Sequence, residues 1–138
     1  MIVVDSSAFL KLLLKEDGWE EVIPYLEPEM EPHAPDLLAV EVTNAIWKYA
    51  IKFKLITRRQ AVRLQEHVER LIEEGVIALE PSVRYLSEAL SIALNHLIPV
   101  YDSLFLAQTK RLEAKLVTSD RKQKKIAENM GLKVIYLS

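Results

Sequence analysis

A chain of 138 residues, half of them hydrophobic and 28% charged, with three glycines and no low-complexity run, has the composition of a globular protein and the length of one ordinary domain. Its 18 basic and 20 acidic side chains nearly cancel, so no net basic field marks it as a nucleic-acid binder, and any such role must rest on local patches. The lack of cysteine excludes disulfides, thiolate zinc sites and cysteine nucleophiles, leaving the chemistry to oxygen and nitrogen groups.

Ile2, Val3 and Val4 form a β-branched run that ends at Asp5, and Ser6-Ser7 read as the cap of a helix running to Leu14. Asp5 and Lys11 interrupt this apolar stretch and no basic segment precedes it, so no secretory signal is expected. Trp19 to Leu26 reads as a helix interrupted by Pro24, and the proline-rich Glu27 to Pro35 as a connection with room for a very short strand. From Asp36, a candidate N-cap, a helix runs to about Lys54. Thr57 and Gln60 then form a capping box for a second long helix, which Gly75 stops. Val76 to Leu79 is a candidate strand, Ser82 a cap for a helix ending near Asn95, and Pro99 the break before a helix beginning around Asp102. Leu116 to Thr118 reads as a strand leading into Ser119-Asp120, a basic helix follows to Gly131, and Lys133 to Leu137 closes as a strand. Strands alternating with helices, without repeat or linker, imply one domain over residues 1–138 built on a mostly parallel sheet covered on both faces. No run approaches the roughly 18 apolar residues of a membrane span, so a soluble cytoplasmic protein is the expectation.

In open α/β sheets ligands bind beyond the carboxyl ends of the strands, where Asp5 and Asp120 fall. Asp102 follows a proline at a helix start, and both an N-cap and a ligand reading stand for it. Glu41 borders the helical core stripe of Leu38, Val42, Ala45, Ile46, Tyr49 and Phe53; by itself it reads as a solvated surface position before a functional one. As a set the four point to chemistry. Like charges about 4 Å apart repel by roughly 4 kcal/mol at an effective dielectric near 20, and a hard cation such as Mg²⁺ or Mn²⁺ relieves that strain using carboxylate and water oxygens alone. Such a site can activate water for attack on a phosphodiester without a protein nucleophile.

Val4-Asp5-Ser6-Ser7-Ala8-Phe9-Leu10 resembles the opening D-x-S/T motif of PIN domains. Glu41-Val42-Thr43-Asn44-Ala45 resembles the family's helix-borne glutamate with its asparagine, Tyr101-Asp102-Ser103-Leu104 its third acidic motif, and Thr118-Ser119-Asp120 its T-x-D. The four motifs follow in order across nearly the whole chain. The resemblance implies a three-layer sandwich with strand order 3-2-1-4-5 and an Mg²⁺- or Mn²⁺-dependent endoribonuclease site with RNA as substrate. It implies metal-site and catalytic roles for Asp5, Glu41, Asp102 and Asp120, with Ser7, Asn44 and Thr118 as orienting groups. Its relatives include VapC toxins, which are neutralised by a small antitoxin, so a VapB-like antitoxin and a homodimer are expected partners. An RNA-processing nuclease without antitoxin, and a catalytically silent binding module, stay open as alternatives.

His33, His67 and His96 have no metal-ligand spacing and are expected in ordinary surface roles, and no G-x-S-x-G elbow supports a serine hydrolase. Arg121, Lys122, Lys124 and Lys125 form a basic run beside Asp120. It reads either as a solvated face or as a phosphate-holding patch, with Arg121 and Lys122 nearest the acids and Lys48 and Lys52 on the helix face of Glu41. Val40, Trp47 and Ile51 lie opposite that helix's core stripe; either a partner covers them or the next helix, with its stripe of Ala61, Leu64, Val68, Leu71 and Ile72, folds back to do so.

Overall fold

The computed structural model describes all of residues 1–138. In chain order the main elements are β1 (Ile2–Val4), α1 (Ser6–Leu13), β2 (Pro32–Pro35), α2 (Leu37–Trp47), α3 (Arg58–Glu73), β3 (Ala78–Glu80), α4 (Leu86–His96), α5 (Val100–Arg111), β4 (Lys115–Thr118), α6 (Arg121–Asn129) and β5 (Lys133–Tyr136). The strands form one sheet in the order β3-β2-β1-β4-β5 with every pair parallel, flanked by helices, as the resemblance implied.

Burial on both faces explains why β1 is all aliphatic: Ile2, Val3 and Val4 are each inaccessible to water. Its register against β4 pairs Val4 with Val117, and the Asp5 N–H continues the ladder onto the Val117 carbonyl, so the residues that follow both strands emerge level at one edge. Helix α5 is the central helix, buried from Ser103 through Thr109 and packed on β1, β2 and β4. Helix α4 lies against it, and the two, with the turn before α4, meet at a bend of 115°. No single helix is long and apolar enough to cross a membrane.

Several local readings need correction. The cap of α1 is Asp5 itself, whose carboxylate accepts from the Ala8 N–H, because a β-conformation residue directly before the helix takes that role and leaves both serine hydroxyls to other partners. Trp19–Leu26 is a 3₁₀ rather than an α-helix, consistent with Pro24 inside it. The helix read from Asp36 to Lys54 is α-helical only to Trp47; Lys48–Lys52 is a π-helical turn, and Lys54 leaves it at φ 53. Phe53, assigned to the core stripe, is half exposed as a result. Asp36 and Ser82, each read as a cap of its own helix, instead bond each other: the Ser82 hydroxyl and N–H donate to Asp36, and the same hydroxyl accepts from the Leu37 N–H. The segment after Ser82 begins as a 3₁₀ turn to Tyr85 before α4 starts. The Thr57–Gln60 capping box forms as read. His33 lies half-buried in β2, with its ring bonded to the Glu31 carbonyl.

Candidate active site

At the carboxyl edge of β1 and β4 the backbone turns straight into helices, and those turns position the acids. Asp5 caps α1 and Asp120 caps α6, its Oδ1 accepting from the Lys122 and Gln123 N–H groups. Asp102 is the third residue of α5 and does not cap it; Pro99 takes the cap position, which removes the innocent reading of that acid. The Gln123 side chain donates to the Asp102 carbonyl at 2.9 Å and so ties α5 to α6. Glu41 sits on α2, half-buried.

Asp5 is buried and wrapped in hydroxyls. Ser7 donates to its Oδ1 at 2.6 Å and Thr118 donates to its Oδ2. The same two hydroxyls accept from the Ser119 N–H at 2.9 Å and the Asp120 N–H at 3.0 Å, so each joins the end of β1 to the turn after β4. Burial pushes the Asp5 carboxyl up to about 6, outweighing the hydrogen bonds that favour its charged form, and the Asp120 charge adds to the rise. Burial and the Asp102 charge raise Glu41; burial and the Asp120 charge raise Asp102, against which only Lys122 acts. The four acids therefore form one electrostatic group, and none of the salt bridges in the protein includes any of them.

Ser6 was missed in the sequence. Its hydroxyl donates to Glu41 Oε1 at 2.6 Å across 35 positions of chain, holding the glutamate toward the start of α1. The motif itself offers only the second serine as a functional position, so nothing local marks the first. Asn44, by contrast, is exposed on α2 and hydrogen-bonds none of the acids. Lys48 and Lys52 are exposed on the π-helical turn, with the Lys52 ammonium over the Phe53 ring. Arg121 donates to the Tyr136 hydroxyl at 3.4 Å, and Lys124 lies over the Tyr136 ring and near Glu128, so the basic run is partly engaged with its own surroundings.

As the side chains stand, no three His, Asp or Glu groups close on one point tightly enough to hold a metal ion. The donor set nonetheless has the chemistry of a hard-cation site: carboxylate oxygens only, mutually repelling and in no salt bridge.

The family model of the PIN domain matches residues 2–129. The chain belongs to the PIN domain family. Ribonuclease VapC3 of Pyrobaculum aerophilum is 29% identical to this PIN domain over 125 residues, 87% of this chain and 89% of that protein. In fold this chain is similar to the crystal structure of PAE2754 from Pyrobaculum aerophilum, with a TM-score of 0.70 at 20% identity, covering 96% of this chain and 87% of that one. A toxin-antitoxin complex from Klebsiella pneumoniae contains a chain that matches with a TM-score of 0.63 at 14% identity, covering 89% of each.

Proposed function

We propose that this PIN domain is a divalent-metal-dependent endoribonuclease acting in the cytoplasm as the toxin of a VapBC-type toxin-antitoxin pair, with residues 1–138 working as one domain. The observation that carries the proposal is the group of four carboxylates at one sheet edge, of which Asp5, Glu41 and Asp102 are raised by burial and by neighbouring acids and none is in a salt bridge. The likeness to ribonuclease VapC3 over most of both chains supports RNA as the substrate, and the likeness to a chain of a toxin-antitoxin complex supports a VapB-like antitoxin.

Asp5, Glu41, Asp102 and Asp120 would hold Mg²⁺ or Mn²⁺; when bound, such an ion supplies Lewis-acid stabilisation of charge developing on phosphodiester oxygens and a means of activating water. In the chain itself, Ser7 and Thr118 fix the Asp5 carboxylate against rotation, and Ser6 stores Glu41 at the rim of the site. Lys122, the one cation that acts on Asp102, would meet an RNA phosphate beside the acids, and Arg121, Lys48 and Lys52 would serve as further phosphate contacts. Residues 42–65 carry six Lys or Arg side chains and no acid, around the exposed Val40, Trp47 and Ile51. Helix α3 turns its own stripe to the core and leaves those three open, so this basic-rimmed apolar face suits an acidic antitoxin segment.

The test is cleavage of structured RNA by purified protein with chelator and with Mn²⁺ or Mg²⁺ restored. Cleavage that vanishes with chelator and returns with metal supports the proposal; cleavage indifferent to chelator, or none under any metal, overturns it.

A further inference from the structure

Two helices of the chain carry a glutamine as their third residue, and the two glutamines do different things. In α3 the Gln60 side chain accepts from the Thr57 N–H at 2.8 Å and closes the capping box on its own helix. In α6 the cap is Asp120 and the third residue is Gln123, so the same closure is available. It is not used. The Asp120 N–H donates to the Thr118 hydroxyl instead, and the Gln123 side chain crosses to α5, where its amide donates to the Asp102 carbonyl at 2.9 Å. Gln123 is only 6% exposed, and burying an amide is a cost that a cap facing water would avoid.

From this crossing we infer that Gln123 is a positioning residue of the acidic edge, which fixes the separation of Asp102 from Asp120 and so sets how tightly the site holds a divalent cation. The role rests on the reading of the four acids as a metal site.

Charge is what makes the separation need a tie. Asp102 and Asp120 lie on different helices, and each like charge opposes the approach of the other; the Asp120 charge raises Asp102. Helices α5 and α6 each pack on β4 and barely on one another, and the Gln123 amide makes the only hydrogen bond between them. Without it the two helix starts would be free to move apart under that repulsion. Lys122 draws Asp102 toward α6, but it is exposed and forms no salt bridge, so water and salt screen it.

The tie also leaves the acid itself unused. Ser7 and Thr118 donate to Asp5, Ser6 donates to Glu41, and Asp120 accepts from two backbone N–H groups of its helix, whereas no hydrogen bond reaches the Asp102 carboxylate. Gln123 grips the main chain of Asp102, whose carbonyl has a second lone pair beyond the one its helix uses, so both carboxylate oxygens stay open to a hard cation. One residue thus spans both acids, because the Gln123 N–H donates to Asp120 Oδ1 at 3.1 Å while its side chain holds Asp102.

The experiment is titration of Mn²⁺ into the full chain without RNA, followed by the EPR signal of free Mn²⁺, with circular dichroism to establish folding. The proteins are wild type, Gln123→Met, Gln60→Met, Asp102→Asn, and Asp102→Asn combined with Gln123→Met. Methionine keeps the length of the side chain and loses the donor, and the N–H that caps Asp120 is untouched. The expected result is Mn²⁺ affinity about tenfold lower in Gln123→Met, as for the loss of a supporting group of a metal site, and unchanged in Gln60→Met. In the Asp102→Asn background Gln123→Met should change the affinity by less than about twofold, because it acts through Asp102; a merely structural glutamine would lower it equally in both backgrounds. Wild-type affinity in Gln123→Met, or a loss that persists undiminished in the Asp102→Asn background, overturns the inference alone. A wild type that binds no Mn²⁺ overturns it together with the metal-site reading. Should Gln123→Met unfold, Gln123→Asn, whose amide is too short to reach the Asp102 carbonyl, replaces it with the same expected and contrary results.

Discussion

Two carboxylates end two strands of the same parallel sheet at the same edge, and their surroundings have opposite signs. Asp5 follows β1, meets only hydroxyls, one backbone N–H and the charge of Asp120, and is pushed up to about 6 by burial. Glu80 ends β3. Burial pushes it up too, but the Tyr85 hydroxyl at 2.7 Å and the Gln108 amide at 2.8 Å donate to it, His33 and Arg84 lie near, and the balance falls below the ordinary glutamate value. Tyr85 is correspondingly raised to about 12, by burial and by that bond. Glu80 is a satisfied structural anchor that ties β3 to α5, whereas Asp5 meets no cation in a salt bridge of the chain. Position at a strand end is shared, so the state of pairing is what separates the site from the scaffold.

The largest effect that sharpens this contrast is on chemistry. Asp5→Asn should lower metal-dependent RNA cleavage by roughly 100-fold or more, as expected for a ligand on which metal binding and positioning depend, with Glu80→Gln staying close to wild type in the same gel assay.

Next comes stability in chelator, where the two residues should show opposite pH linkage. The folded value of Asp5 lies above its unfolded one, so its contribution is intact below about pH 4, is lost as the pH rises through about 6, and is flat beyond. A shift of about two units corresponds to roughly 3 kcal/mol, which is the upper limit of what Asp5→Asn should gain at pH 7 in urea melts without metal. The folded value of Glu80 lies below its unfolded one, so its contribution is present above the ordinary glutamate value and lost as the pH falls through it. A metal-free melting profile in which Asp5→Asn leaves the fall between pH 4 and 6 unchanged would break the comparison. Glu80→Ala should cost about 1–3 kcal/mol at pH 7 by stranding Tyr85 and Gln108, measured in the same melts.

The smallest effect is on RNA affinity. Arg121→Ala with Lys122→Ala removes up to two phosphate contacts and should flatten the logarithmic salt dependence of single-stranded RNA binding by about 1.4, at roughly 0.7 per contact, leaving metal affinity unchanged. An unchanged slope returns the run to a solvated face.

Much of this was legible in the sequence because its signals are local. The β-branched run into Asp5, the strand into Ser119-Asp120 and the Thr57–Gln60 box each declare themselves within a few residues, and alternation of strand and helix gave the parallel sheet. What escaped depends on contacts between distant residues. Ser6 reaches Glu41 over 35 positions, and Asp36 and Ser82 bond each other over 46 instead of capping their own helices. Glu80 drew no reading in the sequence, since Tyr85, Gln108 and His33 come to it from three other segments. The exposed Leu86, Leu90 and Leu94 of α4 drew no reading for another reason: in a helix with apolar residues on both sides, only the packing of α5 on Ala89, Ile92 and Ala93 shows which side is buried.

The most direct test of the central claim, that the unpaired acids hold the metal and the paired one does not, is calorimetric titration of Mn²⁺ into wild type, Asp5→Asn and Glu80→Gln at pH 7. Wild type and Glu80→Gln should bind with the same affinity and Asp5→Asn at least tenfold more weakly, in line with the 10–100-fold cost of disturbing even the supporting groups of a metal site. Equal Mn²⁺ affinity in Asp5→Asn and wild type, or a loss confined to Glu80→Gln, would contradict it.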